Sequence, residues 1–220
     1  ARVRTQSDSV SVRKLNMQTD MTVGKPMKML LNFTIPVFLG NVFQQLYSMA
    51  DAVIVGKFVG TKGLAAVGAT GTITFLIIGF LMGVTTGVTV LTSQKFGAGR
   101  MDEMRKTVGN AAILSAVIAV VMTAVSMLGM HRLLVFMHTP EDIFDGAYGY
   151  IMIICAGIFT QVLYNLVSSI LRALGNSKTP LYFLILAAGL NIVLDLVFII
   201  FFHWGAPGAA WATVISQGVS

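Results

Sequence analysis

Val108-Gly109-Asn110-Ala111-Ala112-Ile113-Leu114-Ser115-Ala116-Val117-Ile118-Ala119-Val120-Val121-Met122-Thr123-Ala124-Val125-Ser126-Met127-Leu128-Gly129-Met130 runs for 23 residues without a charge. A helix rises about 1.5 Å per residue, so about 20 apolar residues cross the hydrocarbon of a bilayer. This run is long enough, and it has company. Comparable stretches occupy about 29–55, 64–91, 148–171 and 181–202. Barrel strands do not fit, because they are about 10 residues long and alternate in polarity. A sixth apolar stretch opens at Pro207-Gly208-Ala209-Ala210-Trp211 and reaches Ser220, so helix 208–220 reads as incomplete. The fold class expected is therefore all-α integral membrane.

Composition agrees. Hydrophobic residues make up 55% of the 220 and charged residues 11%, with a mean hydropathy of +0.81. Soluble domains carry about 25% charged residues, and so few charges do not clothe a water-facing surface. The net charge is +6. Its basic residues lie between apolar runs and not along one face, which argues against nucleic acid and for topology.

One set of segments holds Arg2, Arg4, Arg13, Lys14, Lys25, Lys28, Lys95, Arg100, Arg105, Lys106, Arg172 and Lys178. The opposite set holds Lys57, Lys62 and Arg132, with the acids Glu141, Asp142 and Asp145. The positive-inside rule then puts the N-terminus in the cytoplasm of a multi-pass plasma-membrane protein. Residues 1–28 read as a cytoplasmic tail and 29–220 as one transmembrane lobe. Met17 and Met21 offer alternative starts, so 1–16 is set aside as upstream or non-native sequence.

Two loops carry helix punctuation. Thr139-Pro140-Glu141-Asp142 suggests an N-cap, a proline at the first helical position and acids in the first turn. Gly175-Asn176-Ser177-Lys178-Thr179-Pro180 suggests a stop, a turn and a restart. Cys155, the only cysteine, sits among apolar residues and reads as a small core side chain. His131, His138 and His203 fall at the expected outer helix ends, where interfacial residues are common. No convergent metal ligands and no catalytic constellation emerge, so neither a metal site nor an enzyme is expected.

Nine acids are present, and only Asp51 and Asp195 fall inside apolar segments. A mid-membrane charge costs at least about 2.5–3.5 kcal/mol on insertion scales, so such residues face the bundle interior and have a task. Both first and fifth helices run outward. Asp51 lies in the outer half of the first, and Asp195 stands about 21 Å along the fifth at 1.5 Å per residue. The two carboxylates are expected to share one cavity. Gln44, Ser48 and Asp51 share a face at i, i+4, i+7, as do Asn191 and Asp195 at i, i+4. Asn165 on the fourth helix and Thr213 on the sixth add polar groups. Carboxylate, amide and hydroxyl oxygens together suit a proton or a hard cation. Other roles stay open: Asp51 near a helix end also reaches water, Asp195 also suits a buried structural role, and Asn165 and Asn191 also suit plain bridging between helices. Ser48 and Thr213 also suit bonds to their own helices.

These stretches resemble the multidrug and toxic compound extrusion (MATE) family. The resemblance rests on Pro36, Gln44-Gln45-Leu46-Tyr47-Ser48-Met49-Ala50-Asp51, Val55-Gly56 and Leu64-Ala65-Ala66-Val67-Gly68. It continues in Gln94-Lys95-Phe96-Gly97-Ala98-Gly99-Arg100, in Arg172-Ala173-Leu174-Gly175-Asn176-Ser177-Lys178-Thr179-Pro180, and in Asn191-Ile192-Val193-Leu194-Asp195 with Gly208-Ala209-Ala210-Trp211-Ala212-Thr213. It implies a twelve-helix transporter of two six-helix lobes, of which this chain is the N-terminal half. It implies antiport of cationic or amphiphilic drugs against H+ or Na+, with no cofactor beyond that ion. It also implies a cation site at Asp51, Asn191 and Asp195, with Gln44, Asn165, Thr213 and Tyr150 nearby. The partners implied are the drug, membrane lipid and the missing C-terminal lobe. A rival is a lipid-linked oligosaccharide flippase of the same superfamily. It calls for Arg or Lys in the cavity, and Lys57 and Arg172 are expected only at helix ends. A non-transporting membrane fragment is the other alternative.

Overall fold

The computed structural model describes residues 26–220. The basic tail up to Lys25, with its alternative starts, lies outside the described residues. Among those described, every regular element is helical: α1 (Pro26–Phe58), α2 (Thr61–Gly97), α3 (Met101–Phe136), α4 (Glu141–Ala156), α5 (Ile158–Ala173), α6 (Lys178–Leu196) and α7 (Ala206–Val219). A π-helical turn, Val197–Phe201, continues α6. α1, α2, α3 and α6 with its π turn are each long and apolar enough to span a membrane, and α4 with α5 makes a fifth span bent by 46°.

The helices overrun the apolar stretches at both ends. α2 continues through Ser93-Gln94-Lys95 to Gly97, and α3 starts at Met101 with Asp102 and Glu103 in its first turn. Backbone hydrogen bonding does not stop where hydrocarbon stops, so polar flanks stay helical beyond it. The stretch expected as one helix, 148–171, extends over 141–173 and bends at Gly157. Hydrogen bonding carries across the bend, with Gly157 N–H donating to the Ile153 carbonyl at 2.9 Å and Gln161 N–H to the Gly157 carbonyl at 3.1 Å. α7 approaches closely there: a Cβ on Gly157 would stand 2.3 Å from Val214 Cγ2.

Punctuation is partly redrawn. Pro140 takes the N-cap position of α4 (φ −57°, ψ 141°) instead of the first helical one, and no side chain caps that end. Glu141 and Asp142 do occupy the first turn, where negative charge suits the helix dipole. At the other loop, Gly175 adopts φ +80°. Asn176 N–H donates to the Leu171 carbonyl at 2.9 Å, closing the end of α5. The Asn176 side chain then holds the restart, accepting from Thr179 N–H at 3.1 Å.

α2 lies at the centre, along α3, α4 and α5. α1 packs mainly on α6, and α7 wedges between α4 and α6. One core cluster joins Ile73, Ile77 and Leu81 of α2 to Leu134, Ile151, Cys155 and Val162. A second joins Val55 of α1, Tyr150 of α4 and Ala209 and Ala210 of α7. Outward faces are apolar instead, with Phe75 75% and Leu128 85% exposed. Lipid tails are as apolar as leucine, so helices associate in a membrane by close fit more than by the hydrophobic effect. The fully buried Ala209, Ala210 and Ala212 let α7 come in close.

The Gly157 contact is therefore testable. Gly157→Ala is expected to destabilise the folded protein by about 1–3 kcal/mol through overpacking. Gly68→Ala serves as the control, since no neighbour lies within 4 Å of its added Cβ. Unfolding of the intact protein in detergent reads both, and equal midpoints would show that α7 does not press on the bend.

Candidate functional site

Asp51 lies one turn from the Ile54-Val55 packing on α1, and Asp195 is the last residue but one of α6, just before the π turn. Because α1 packs on α6, the two side chains meet. Asp51 is 8% exposed and Asp195 0%, and their carboxyl groups lie within hydrogen-bonding reach of each other. Oδ1 of each has no hydrogen-bond partner among the described residues. Nor does a Lys or Arg pair with either carboxyl there; the ion pairs found are Lys62–Asp142, Lys95–Glu103 and Arg100–Glu103, all at helix ends. Removing water from a charge without supplying a partner costs several kcal/mol.

Asn191 is also fully buried. With its amide oriented to suit both neighbours, Nδ2 donates to Asp195 Oδ2 at 3.2 Å and Oδ1 accepts from the Thr213 N–H at 3.3 Å. Tyr47 Oη donates to Thr213 Oγ1 at 3.3 Å. Thr213 thus ties α7 to both α1 and α6. Ser48 behaves otherwise: its hydroxyl donates to the Gln44 carbonyl of its own helix at 3.1 Å.

A cavity of about 250 Å³ opens beside this cluster, lined by Gln44, Tyr47, Asp51, Tyr150, Gln161 and Thr213 among others. The expectation of one cavity shared by both carboxylates needs correction. Asp51 lines it, whereas Asp195 and Asn191 are sealed behind the wall, because the α6 face that carries them turns toward α7. Asn165 is displaced as well. It lines a different cavity, of about 260 Å³, toward the helix ends that carry Lys95 and Lys178. Gln44 lines both. Arg172 does sit in the last turn of α5, as expected, but it also lines that second cavity.

So Asp51, Asp195, Asn191, Thr213 and Tyr150 come together, and Asn165 stands apart with Gln44 between. Sequence reasoning passed over Tyr47 and Gln161. Tyr47 was legible, since it stands at i−4 from Asp51 on the same helical face. Gln161, four residues before Asn165 on α5, was legible only as a polar residue in an apolar run.

The geometry has counterparts. The MatE family profile matches residues 36–197. A Bacillus subtilis (strain 168) protein named probable multidrug resistance protein YpnP is 33% identical over 91% of this chain and 45% of its own. Probable multidrug resistance protein YoeA of the same organism is 31% identical over 84% of this chain and 41% of its own. Among solved structures, a MOP superfamily transporter from Pyrococcus furiosus superposes with a TM-score of 0.85 at 31% identity, over 89% of this chain and 43% of that one. The chain thus spans about half the length of the relatives it matches. With a family profile covering most of its length and a matching helical lobe, the chain belongs to the MatE family of multi-pass membrane transporters, the multidrug and toxic compound extrusion family.

Proposed function

We propose that the protein containing this chain exports cationic or amphiphilic small molecules in exchange for protons or sodium ions, and that Asp51 and Asp195 hold the coupling ion. One observation carries the reading. Two buried carboxyls lie within reach of each other, each with an unpartnered oxygen, and no cation stands beside them among the described residues. A proton or a sodium ion supplies the missing positive charge. The free carboxyl oxygens of Asp51 and Asp195 serve either one, since H+ and Na+ are both hard cations that oxygen ligands suit.

Coupling follows from differential affinity. An ion that binds the carboxyl pair better in one conformation shifts the lobe toward it, and a drug that prefers the other conformation opposes the shift. Alternating access needs two repeats moving against each other around a site. This lobe supplies one, so transport belongs to the protein with both lobes, set in the plasma membrane with its basic helix ends in the cytoplasm.

Dye efflux from cells expressing the intact protein tests this, with proton and sodium gradients imposed separately. Asp195→Asn is expected to lower gradient-driven efflux by about 5–150-fold, the range of typical coupling energies. The effective gradient names the ion. Efflux unchanged in a well-inserted Asp195→Asn variant removes Asp195 from the coupling site. No efflux from the unaltered protein moves the reading to the flippase or to an inert membrane module.

Thr213 offers a second check. Thr213→Val keeps the shape but leaves Tyr47 Oη without its acceptor, an expected cost of about 1–3 kcal/mol. Efflux should fall less than in Asp195→Asn, and the sodium or proton concentration giving half-maximal efflux should rise. An unmoved half-maximal concentration would make the Tyr47–Thr213 bond a packing contact only.

A further inference from the structure

The second cavity has a polarity opposite to the first. It lies between α1, α2, α5 and α6 and has a volume of about 260 Å³, near the small end for a ligand pocket. Three helices turn a polar stripe toward it. From α5 come Asn165, Ser169 and Arg172, at i, i+4, i+7 on one face. From α2 come Thr85, Thr86 and Thr89, and from α1 Asn41 and Gln44.

Hydrogen-bond accounting separates these groups. Thr85 Oγ1 donates to the Leu81 carbonyl at 3.1 Å, Thr86 Oγ1 to the Met82 carbonyl at 2.7 Å, and Thr89 Oγ1 to the Thr85 carbonyl at 2.9 Å. Their hydrogens are engaged with their own helix, so they offer lone pairs to the cavity. The α5 side offers donors. Asn165 Nδ2 is buried and has no partner. Arg172 brings five N–H donors and a permanent charge. No carboxylate pairs with it among the described residues. Position in the last turn of a helix suits a cation through the helix dipole. That accounts for the charge of Arg172, but not for a lone buried amide donor two turns away along the same face. No carboxyl group lines this cavity.

We propose that this cavity is an oxyanion subsite, in which Arg172 and Asn165 bind a carboxylate or phosphate group and the α2 threonines accept hydrogen bonds from the rest of the ligand. A planar carboxylate matches the guanidinium fork in two parallel bonds. The subsite is separate from the carboxyl pair on α1 and α6, and it does not depend on the export reading.

The test is equilibrium binding to the intact protein in phosphatidylcholine nanodiscs, with benzoate as the probe and saturation-transfer NMR as the readout. Benzoate is expected to bind saturably, and benzyl alcohol, neutral and of similar size, roughly tenfold more weakly, as befits a hydrogen bond to a charged group. Arg172→Gln is expected to weaken benzoate by roughly tenfold or more, with Arg172→Lys between. Lys178→Gln, an exposed cation that does not line the cavity, should leave binding unchanged. Thermal unfolding of each variant separates a lost site from a lost fold, and Arg172→Lys keeps the question open to measurement if Arg172→Gln does not fold. Displacement of benzoate by inorganic phosphate supports the subsite and assigns it to a free anion. Displacement by added phosphatidylglycerol, seen with Arg172 and absent in Arg172→Gln, supports it and assigns it to a lipid headgroup. Undiminished benzoate binding in folded Arg172→Gln, or no saturable binding to the unaltered protein, overturns the proposal. Dye efflux intact beside such a negative result would leave the export reading standing, and binding without efflux would do the reverse.

Discussion

Two carboxyl groups, Asp51 and Asp195, face each other across the contact between α1 and α6 with no cation beside them among the described residues. Much of the surrounding structure reads as a consequence. A buried carboxyl needs donors: Asp195 accepts from the Asn191 amide of its own helix, and the oxygen of that amide accepts in turn from the Thr213 N–H of α7. α7 must therefore approach α1 and α6 closely, and its small residues, Ala209, Ala210 and Ala212, permit that. The same approach brings Val214 against Gly157, where the span formed by α4 and α5 bends. A polar requirement at one point thus fixes the position of a helix, and that helix fits the bend in another span. The chain of dependence runs through van der Waals fit, which is the main currency of helix association in lipid.

The π turn after Asp195 belongs to the same picture. α6 passes from α-helical to π-helical geometry at Val197, two residues beyond the carboxyl. π turns insert a residue into the helical register and often sit at functional sites. Here the turn contributes Phe198 to an aromatic group completed by Phe202 and Trp204, whose rings pack within 5.1–6.2 Å of one another. Aromatic rings of this kind gather where membrane meets water. The carboxyl pair consequently lies near one end of the bundle, and the Arg172 cavity near the other. Gln44 borders both cavities. A single lobe thereby presents two polar environments of opposite sign, separated along α1 and α5.

Much was legible without coordinates. Charge-free runs such as 108–130 gave the helical class, because a bilayer admits no other open arrangement of backbone hydrogen bonds. The two acids inside apolar runs stood out for a related reason: a charge in hydrocarbon is costly and needs a purpose. Helical periodicity then placed Gln44, Ser48 and Asp51 on one face, and Asn191 with Asp195 on another. These are local properties, readable from spacing and residue type alone.

Tertiary structure decided the rest. Whether Asp195 lined the cavity or lay behind its wall depended on which way α6 turned against α7, and spacing along one helix carries no information about a neighbour's orientation. Asn165 went to the second cavity, and Arg172 joined it from a helix end, because the face of α5 is shared between two spaces that only packing defines. Gly157 carried no sign of its bend, since the close approach of Val214 comes from a residue 57 positions away. What the sequence by itself determined was the solvent of each segment and the face of each polar group, both set by transfer energies and helical period. What only the folded chain decided was which faces meet, because that depends on the shapes of distant side chains fitted together.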